Sequence, residues 1–320
     1  MTYLSRLLAL GLLLFVFGAN LQAQTYPNRP IKMVIGYPPG AATDLFGRAI
    51  AKQMQDSLGQ AIIVENKVGA AGTVAAEAVV RSAPDGYTLL NSASQIVINP
   101  FVQKLPFNTE KELIPVAQTI TVSYVLIASP NFSANSVADL VEYAQKNPGK
   151  INYGSYGSGS GPHLSMAMLE KVAGVKMQHI QYRGSPQLLT ALMAGEIDVA
   201  FDTTTSTLAL IQAGKIKPLA IGGPKPSELL PNVLPVAKSY PGFDSDGWQG
   251  IFLPANTPGE LVKKLNLEVN NALKSPTLKS LAESRGVKIT GGSSEQFSAI
   301  MKQELKKYEQ VITENNIKMD

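Results

Sequence analysis

Short apolar runs alternate with helical patterns along most of this chain, and no other feature of the sequence constrains its fold as strongly. Residues 31–36 (IKMVIG) and 61–65 (AIIVE) have the length and apolar content of buried strands. Between them, apolar side chains recur at helical spacing from Leu45 to Leu58, and Gly59 follows as a helix stop signal. The alternation predicts helices packed on sheets, which is the α/β class.

The same signals predict the remaining elements. Further strands are expected at residues 87–90, 124–128, 151–153, 197–201, 219–222 and 250–253. Further helices are expected at residues 73–82, 137–146, 163–172, 186–194 and 258–273. A last helix should begin after Ser293, which has the spacing of a capping box with Gln296, and end near residue 315.

The N-terminus has the features of an export signal. Residues 1–6 carry one positive charge, on Arg6, and residues 7–19 form an apolar run of 13 residues. Such a run is short for a membrane-spanning helix, which needs about 20 residues, but it fits a secretory signal peptide. We therefore predict a signal peptide over residues 1–23, cleaved near Ala23, and a periplasmic mature chain without direct membrane insertion. An uncleaved membrane anchor is the alternative.

Composition excludes several kinds of site. The chain has no cysteine, which excludes disulfides, zinc–thiolate sites and iron–sulfur clusters. Its two histidines, His163 and His179, are too few for a multi-histidine metal site, so we expect no metal and no cofactor. The net charge of +4 is small for 320 residues and gives no indication of a nucleic-acid partner.

Three loops that follow predicted strands share one chemistry. They are residues 37–44 (YPPGAATD), 154–163 (GSYGSGSGPH) and 184–186 (GSP). Each is rich in small residues and leads into a predicted helix, whose first N–H groups and dipole attract anions. In open α/β sheets, ligands bind beyond the carboxyl ends of the strands, where these loops lie. The loops therefore predict an anion site that needs no cationic side chain.

Several polar side chains in or beside these loops have two possible roles. A hydroxyl or carboxylate can cap a helix, or it can contact a ligand. Arg183 can pair with a ligand carboxylate or with a surface acid. We expect His163 to be structural, although it borders the second loop, and His179 to be a strand residue without a role. The residues for which capping is the alternative are Thr43, Asp44, Ser155, Ser158, Ser160, Ser185 and Asp202.

Common enzyme motifs do not occur in the sequence. Residues 157–161 have Gly159 where a G-x-S-x-G elbow needs serine. A dinucleotide-binding fingerprint would need glycine where Pro162 stands, and neither a P-loop nor an H-E-x-x-H motif is found. We therefore predict that the chain is not an enzyme. A secreted hydrolase that uses Ser158 and His163 is the remaining alternative from that class.

Longer motifs give the chain a family resemblance. In chain order they are residues 26–31 (YPNRPI), 37–44 (YPPGAATD), 64–67 (VENK), 69–72 (GAAG), 83–89 (APDGYTL), 152–155 (NYGS), 163–164 (HL), 182–184 (YRG) and 252–258 (FLPANTP). Over essentially the whole mature chain, the sequence resembles the Bug-type periplasmic solute receptors of tripartite tricarboxylate transport systems.

The resemblance implies a type II periplasmic binding protein, in which two lobes with mixed sheets flanked by helices enclose a ligand cleft. Lobe 1 would comprise residues 24–123 and 235–320, and lobe 2 would comprise residues 124–234. The implied function is that of a monomeric receptor for a small aliphatic or aromatic mono- or dicarboxylate. The receptor would deliver this ligand to a membrane permease of the tripartite tricarboxylate type. A receptor that feeds a two-component sensor kinase is the alternative.

The resemblance also implies which residues surround the ligand. In the family, the Pro-Pro-Gly loop and the Gly-Ser loop clamp a carboxylate from opposite lobes, partly through backbone amides and water. Together with further residues expected to face the cleft, the predicted site comprises Tyr37, Pro39, Gly40, Ala41, Ala42, Thr43, Asp44, Ser92, Ser94, Gln95, Ser155, Tyr156, Gly157, Ser158, Gly159, Ser160, His163, Arg183, Gly184, Ser185, Asp202, Thr203 and Trp248.

Two positions depart from the family pattern. Ala41 stands where a second glycine is usual, so the first loop must use an ordinary backbone conformation there or approach the carboxylate differently. Tyr37 stands where phenylalanine is usual. With Tyr156 and Trp248, Tyr37 would form an aromatic cleft that favours a flat ligand. The alternative is that Trp248 packs in the core and Tyr156 only covers the loop.

Overall fold

The computed structural model describes residues 26–317, which form two mixed β-sheets flanked by helices. The predicted signal peptide and its cleavage point near Ala23 lie outside these residues. Between residues 26 and 317, no helix has both the length and the apolar content needed to cross a membrane.

Strands and helices alternate along the chain. The strands are β1 (Ile31–Ile35), β2 (Ile62–Asn66), β3 (Thr88–Ala93), β4 (Leu113–Val122), β5 (Tyr124–Ala128), β6 (Asn152–Ser155), β7 (Gln178–Gln181), β8 (Val199–Thr203), β9 (Lys217–Ile221), β10 (Gly247–Pro254) and β11 (Lys288–Ile289). The helices are α1 (Ala42–Leu58), α2 (Thr73–Val80), α3 (Gln95–Val102), α4 (Thr109–Glu112), α5 (Val137–Lys146), α6 (Gly161–Ala173), α7 (Ser185–Ala194), α8 (Thr204–Gln212), α9 (Gly259–Leu273), α10 (Pro276–Arg285) and α11 (Ser294–Glu314).

Six strands form the first sheet, in the order β11-β4-β10-β3-β1-β2. Strand β1 is parallel to β2 and β3, whereas β10 is antiparallel to β3 on one side and to β4 on the other. The sheet therefore combines strands from the first and last parts of the described chain. It also places the carboxyl ends of β1 and β3 at the same edge.

Five strands from residues 124–221 form the second sheet, in the order β7-β6-β8-β5-β9. Strand β6 is parallel to β7 and β8, and β5 is antiparallel to β8 and β9. A single residue, Ser123, separates β4 of the first sheet from β5 of the second, and residues 222–246 lead back to β10. The predicted α/β class and pair of mixed sheets are confirmed. The limits of the two lobes remain a prediction.

Helices cover the sheets through stripes of apolar side chains. In α1, Phe46, Ile50 and Met54 recur every four residues and are all buried. Burying each of these side chains stabilises the fold by about 1.5–3 kcal/mol. Gly59 ends the helix in a left-handed conformation with φ of 65°, as its position in the sequence predicts.

The largest apolar cluster contains side chains from both sheets. Leu90 of β3 and Phe201 of β8 belong to it, as do Trp248 of β10 and Phe297 of α11. The two lobes are therefore held together by packing as well as by the chain that connects them.

Proline occurs inside two of the elements that the sequence did not predict. Strand β4 contains Pro115, and α3 contains Pro100, and neither element was predicted. Pro115 is tolerated because the pairing of β4 with β10 is irregular there, so the ladder does not need its missing N–H. Thr43 is not a helix cap, because α1 begins at Ala42 and Ala41 occupies the N-cap position. The predicted capping box of Ser293 and Gln296 is confirmed.

Candidate ligand-binding site

The predicted site residues lie at the carboxyl ends of parallel strands. In the first sheet, residues 37–44 follow β1 and Ser94 follows β3. In the second sheet, residues 156–160 follow β6, residues 182–184 follow β7, and Thr203 ends β8. Each sheet thus presents its loops at one edge, which is where α/β proteins bind ligands.

The helices that begin at these loops have no side-chain caps. The N-cap residues concerned are Ala41 for α1, Ser94 for α3, Ser160 for α6, Gly184 for α7 and Thr203 for α8. Helices α5, α10 and α11 are capped by the hydroxyl groups of Ser136, Ser275 and Ser293. Helices α2 and α9 also lack caps, because their N-cap residues Gly72 and Pro258 carry no side-chain acceptor. First-turn N–H groups of these five helices therefore remain available to an anion. Exceptions include Thr204 N–H of α8, which donates to Ser123 O, and Pro162 of α6 and Pro186 of α7, which have no N–H.

Asp44 holds the first loop in shape. Its carboxylate accepts hydrogen bonds from Gly40 N–H at 2.9 Å, from Asn66 Nδ2 at 2.8 Å and from Arg48 Nε at 2.9 Å. Burial raises the pKa of Asp44, but these hydrogen bonds outweigh it and hold the pKa below its usual value. The Asp44 carboxylate thus forms its hydrogen bonds with the first loop, Asn66 and Arg48. The adjacent Ala41 has φ of −63°, so the loop uses the ordinary backbone conformation that alanine requires.

The second loop is fixed by its own backbone and by histidines. Ser155 Oγ accepts a hydrogen bond from Gly157 N–H at 3.0 Å and lies 2.6 Å from Nε2 of His179. Gly159 N–H donates to Nδ1 of His163 at 3.1 Å. Gly157 and Gly159 have φ of 112° and 73°, which other residues rarely adopt. The glycines thus give the loop a shape that a simple helix cap does not need.

Asp202 joins three segments of the second lobe. Its Oδ1 accepts hydrogen bonds from the Tyr156 hydroxyl and from Thr203 N–H, and its Oδ2 accepts one from Ser185 Oγ at 2.6 Å. Burial raises the pKa of the Asp202 carboxyl, although the hydrogen bonds oppose the shift. Burial, and next the charge of Asp202, hold the pKa of Tyr156 well above its usual value. The hydroxyl groups of Tyr156 and Ser185 therefore both donate hydrogen bonds to the Asp202 carboxylate.

The loops of the two lobes touch each other. Gln95 Nε2, at the start of α3, lies 3.4 Å from Gly159 O in the second loop. A Cβ at Gly159 would lie 3.0 Å from Val102 of α3. The structure thus brings Gln95 and Gly159 together across the cleft. Cavities of about 600 and 400 Å³ lie elsewhere, the larger against the middle of α11 and the smaller against its C-terminal end.

Trp248 does not line the cleft, which corrects the prediction of an aromatic wall. Its side chain is 4 % exposed and packs edge-on against Phe297, with ring centroids 5.1 Å apart. Tyr37 is half-buried and packs beside Gly72. The alternative interpretation of Trp248 as a core residue is confirmed, and a complete aromatic cleft is not formed.

The remaining predicted residues lie around these loops. Pro39 and Gly40 are exposed in the first loop, and Ser92 is buried on β3. The exposed Arg183 donates its backbone N–H to Gln187 and forms no ion pair within residues 26–317. Ser158 Oγ lies 3.4 Å from Nε2 of Gln181.

Sequence reasoning missed four contacts of the loops. Asn66 and Arg48 fix the first loop, Tyr124 packs against the start of α6, and His179 meets Ser155. His179 is a strand residue, as predicted, and it also contacts Ser155 of the second loop. Asn66 belongs to the motif of residues 64–67, and this motif was the available signal for it. Arg48 lies four residues after Asp44 on α1, and this helical spacing was the available signal for their ion pair. The contacts of Tyr124 and His179 arise from strand pairing and packing, which no short motif records.

The chain matches the family model described as "Tripartite tricarboxylate transporter family receptor" over residues 46–317. It belongs to this family. The receptor is 34% identical to a UPF0065 protein of Bordetella pertussis over 316 residues, which cover 97% of this chain and 96% of that protein. It is 30% identical to the solved periplasmic binding protein BugD, with a TM-score of 0.76, covering 92% of this chain and 100% of BugD.

Two further solved structures contain ligands. Rpa4515 of R. palustris was solved with adipate; it is 27% identical, covers 91% of the receptor and 99% of its own chain, and has a TM-score of 0.78. MatC (Rpa3494) of Rhodopseudomonas palustris was solved with bound malate; it is 27% identical, covers 90% of the receptor and 100% of its own chain, and has a TM-score of 0.74. The receptor is a periplasmic solute-binding protein of the Bug type, and the prediction that it is not an enzyme is confirmed by its family.

Proposed function

We propose that the receptor binds a small aliphatic dicarboxylate in the cleft between its two sheets and delivers it to a tripartite tricarboxylate-type permease. The observation that carries this proposal is the set of uncapped helix N-termini at the predicted loops. N–H groups and dipoles at such termini stabilise negative charge without a cationic side chain.

The distribution of these helices favours two carboxylates over one. Helices α1 and α3 begin at the first sheet, and α6, α7 and α8 begin at the second. A ligand with a carboxylate at each end can engage both groups at once, and bridging the lobes stabilises the closed state. Two related receptors were solved with adipate and malate, which are aliphatic dicarboxylates. The burial of Trp248 removes the main reason to expect an aromatic ligand.

Thermal shift on residues 24–320 tests the proposal. The panel comprises malate, adipate, citrate, benzoate and phthalate, with hexanoate and adipamide as matched controls for adipate. A ligand at 100 times its dissociation constant should raise the free energy of unfolding by about 2.7 kcal/mol. We expect a dicarboxylate to shift the melting temperature, and its one-carboxylate and uncharged analogues to shift it less. No shift by any carboxylate, even after unfolding and refolding to remove bound ligand, would contradict the proposal.

Replacing Ala42 by proline is expected to weaken binding of the best dicarboxylate about tenfold. Ala42 is the first residue of α1, and its N–H has no partner within residues 26–317. Proline is favoured at this position and removes only that N–H, and the extended backbone of Ala41 is compatible with a following proline. A lost hydrogen bond to a carboxylate costs about 1.5–3 kcal/mol, and 1.4 kcal/mol is tenfold in affinity.

The matched control is Gly259→Pro, which removes the first N–H of α9. Isothermal titration of both variants with the same ligand should show weaker binding for Ala42→Pro only. Equal affinities for the two variants would remove α1 from the ligand site.

Uptake of the radiolabelled ligand by cells that contain the permease, with and without the receptor, tests delivery.

A further inference from the structure

The two histidines of the chain lie stacked beneath the loop of residues 155–160. The ring of His163, in the first turn of α6, is nearly parallel to the ring of His179 on β7, with centroids 4.1 Å apart. Tyr153 of β6 stacks on His179 with a centroid distance of 5.0 Å. Three rings from three elements thus form one stack at the base of the loop.

Each histidine contacts a different point of the loop. Nδ1 of His163 accepts from Gly159 N–H at 3.1 Å, and Nε2 of His179 lies 2.6 Å from Ser155 Oγ. Ser155 Oγ also accepts from Gly157 N–H and lies 3.2 Å from Gly157 O, to which it donates. The loop is therefore attached to the stack at both of its ends.

These partners determine where the ring protons are. A backbone N–H can only donate, so Nδ1 of His163 must carry a lone pair, and the ring is neutral with its proton on Nε2. The hydroxyl proton of Ser155 is used on Gly157 O, so the three contacts of Ser155 Oγ are satisfied when His179 donates from Nε2. Protonation of His179 preserves its contact, whereas protonation of His163 replaces an acceptor by a second donor.

We propose that His163 and His179 are positioning residues that hold residues 155–159 in the ligand-binding shape, and that this hold requires a neutral His163. The predicted effect on affinity rests on the proposed function, because it assumes that the loop binds the ligand. The predicted positioning of the loop by the two histidines does not depend on that assumption. When His163 takes up a proton, its bond to Gly159 is lost and its charge faces the second ring at 4.1 Å, so the loop is released.

Titratable groups lie near the stack on β6, on α6 and just before β7. Tyr153 on β6 stays neutral, because burial, and next the charge of Glu170, raise its pKa. Glu170 on α6 has a pKa raised by burial and accepts from Met177 N–H at 2.6 Å. Lys176, just before β7, lies close enough to Glu170 to oppose that shift. The residue of α3 that meets the loop through a polar group is the uncharged Gln95.

Nuclear magnetic resonance of the full chain tests the hold directly. With two histidines in the sequence, long-range ¹⁵N–¹H spectra identify each ring nitrogen without ambiguity. We expect His163 to carry its proton on Nε2 at about pH 7.5. We also expect the protection of the Gly159 amide from hydrogen exchange to fall tenfold or more as His163 becomes protonated. A protonated Nδ1 at that pH, or protection that does not follow the titration of His163, would overturn the inference.

Two variants separate the effect of the histidine hydrogen bonds to the loop from the effect of ring stacking. His163→Asn offers an uncharged acceptor near the place of Nδ1, so protection of Gly159 should persist and lose its pH dependence. His179→Phe keeps the stacking surface but removes the contact with Ser155, so protection of the Gly157 amide should fall. If His163→Asn keeps the wild-type pH dependence, His163 is not the titrating group.

Titration with malate tests whether the positioning of the loop by the histidines affects ligand binding. Between about pH 8 and a pH about one unit below the point at which His163 is half protonated, the affinity of the wild-type chain should fall more than threefold, and that of His163→Asn should change less than twofold. Equal pH dependence in the two proteins would contradict the role in binding. If malate and the rest of the panel fail to bind at any pH, the proposed function fails, while the exchange data still decide whether the histidines hold the loop.

Discussion

Replacing Asp202 by alanine is expected to lower the free energy of unfolding by about 3–5 kcal/mol and to weaken ligand binding at least tenfold. The substitution leaves the Tyr156 hydroxyl, the Ser185 hydroxyl and Thr203 N–H without their acceptor. Each buried donor that loses its partner costs about 1–3 kcal/mol. Because Tyr156 belongs to the second loop and the other two groups start α7 and α8, the change should loosen all three segments. Urea denaturation and isothermal titration measure the two effects.

Asp202→Asn is the matched control. Its amide oxygen can take the place of Oδ1, which accepts from Tyr156 and Thr203, and its NH₂ group then faces Ser185, whose hydroxyl can turn to accept. We expect this variant to lose less than half of the stability that the alanine variant loses. If alanine and asparagine cost the same, the charge of Asp202 matters rather than its hydrogen bonds. An alanine variant with wild-type stability and affinity would remove Asp202 from the site.

Replacing Asp246 by asparagine is expected to stabilise the receptor by about 2–4 kcal/mol at pH 8 and by no more than about 1.5 kcal/mol at pH 5. Asp246 precedes β10, next to the segment that connects the sheets, and its Oδ1 is buried without a hydrogen bond within residues 26–317. Burial and then the charge of Asp244 raise its pKa to about 7, although Ser123 and Lys307 oppose the shift. In the unfolded chain the pKa is about 3.9.

The direction of this pH effect follows from the difference in bound protons between the folded and the unfolded chain. Between about pH 4 and about pH 7 the folded chain holds a proton on Asp246 that the unfolded chain has lost, so this group makes the protein less stable as the pH rises. Each pH unit in this window costs about 1.4 kcal/mol, which gives an upper limit of about 4 kcal/mol. Asparagine does not ionise and removes the loss. Denaturation curves at several pH values test this, with Asp56→Asn in an exposed pair with Lys52 as the control. Parallel pH profiles for wild type and Asp246→Asn would contradict the assignment.

Local sequence signals predicted those elements whose ends are set by one residue. Gly59, Gly174 and Gly195 end α1, α6 and α7 in the left-handed conformation, because glycine takes it without strain. Strand β5 and helix α5 were predicted with the observed limits. Strand β4 was missed because its polar residues Gln118 and Thr119 are buried in the sheet, and only its neighbours β10 and β11 make that possible.

The loops of the candidate site were predicted, but the partners of their side chains were not. Asp202 was expected either to cap a helix or to line the site, yet it binds Tyr156 and Ser185, which are 46 and 17 residues away in the sequence. His179 reaches Ser155 because β6 and β7 pair in parallel. Such contacts depend on the register of strands and on packing within the second lobe, which neither composition nor spacing encodes.

Strand β10 also sets the order in which the receptor can be completed. It lies between β3 and β4, so these two strands have no common neighbour until the ribosome has made residue 254. The second sheet, by contrast, comes from residues 124–221 without interruption. During synthesis the inner edges of β3 and β4 stay open long after their own residues have emerged. The first sheet can therefore be completed only after all the strands of the second sheet have been made.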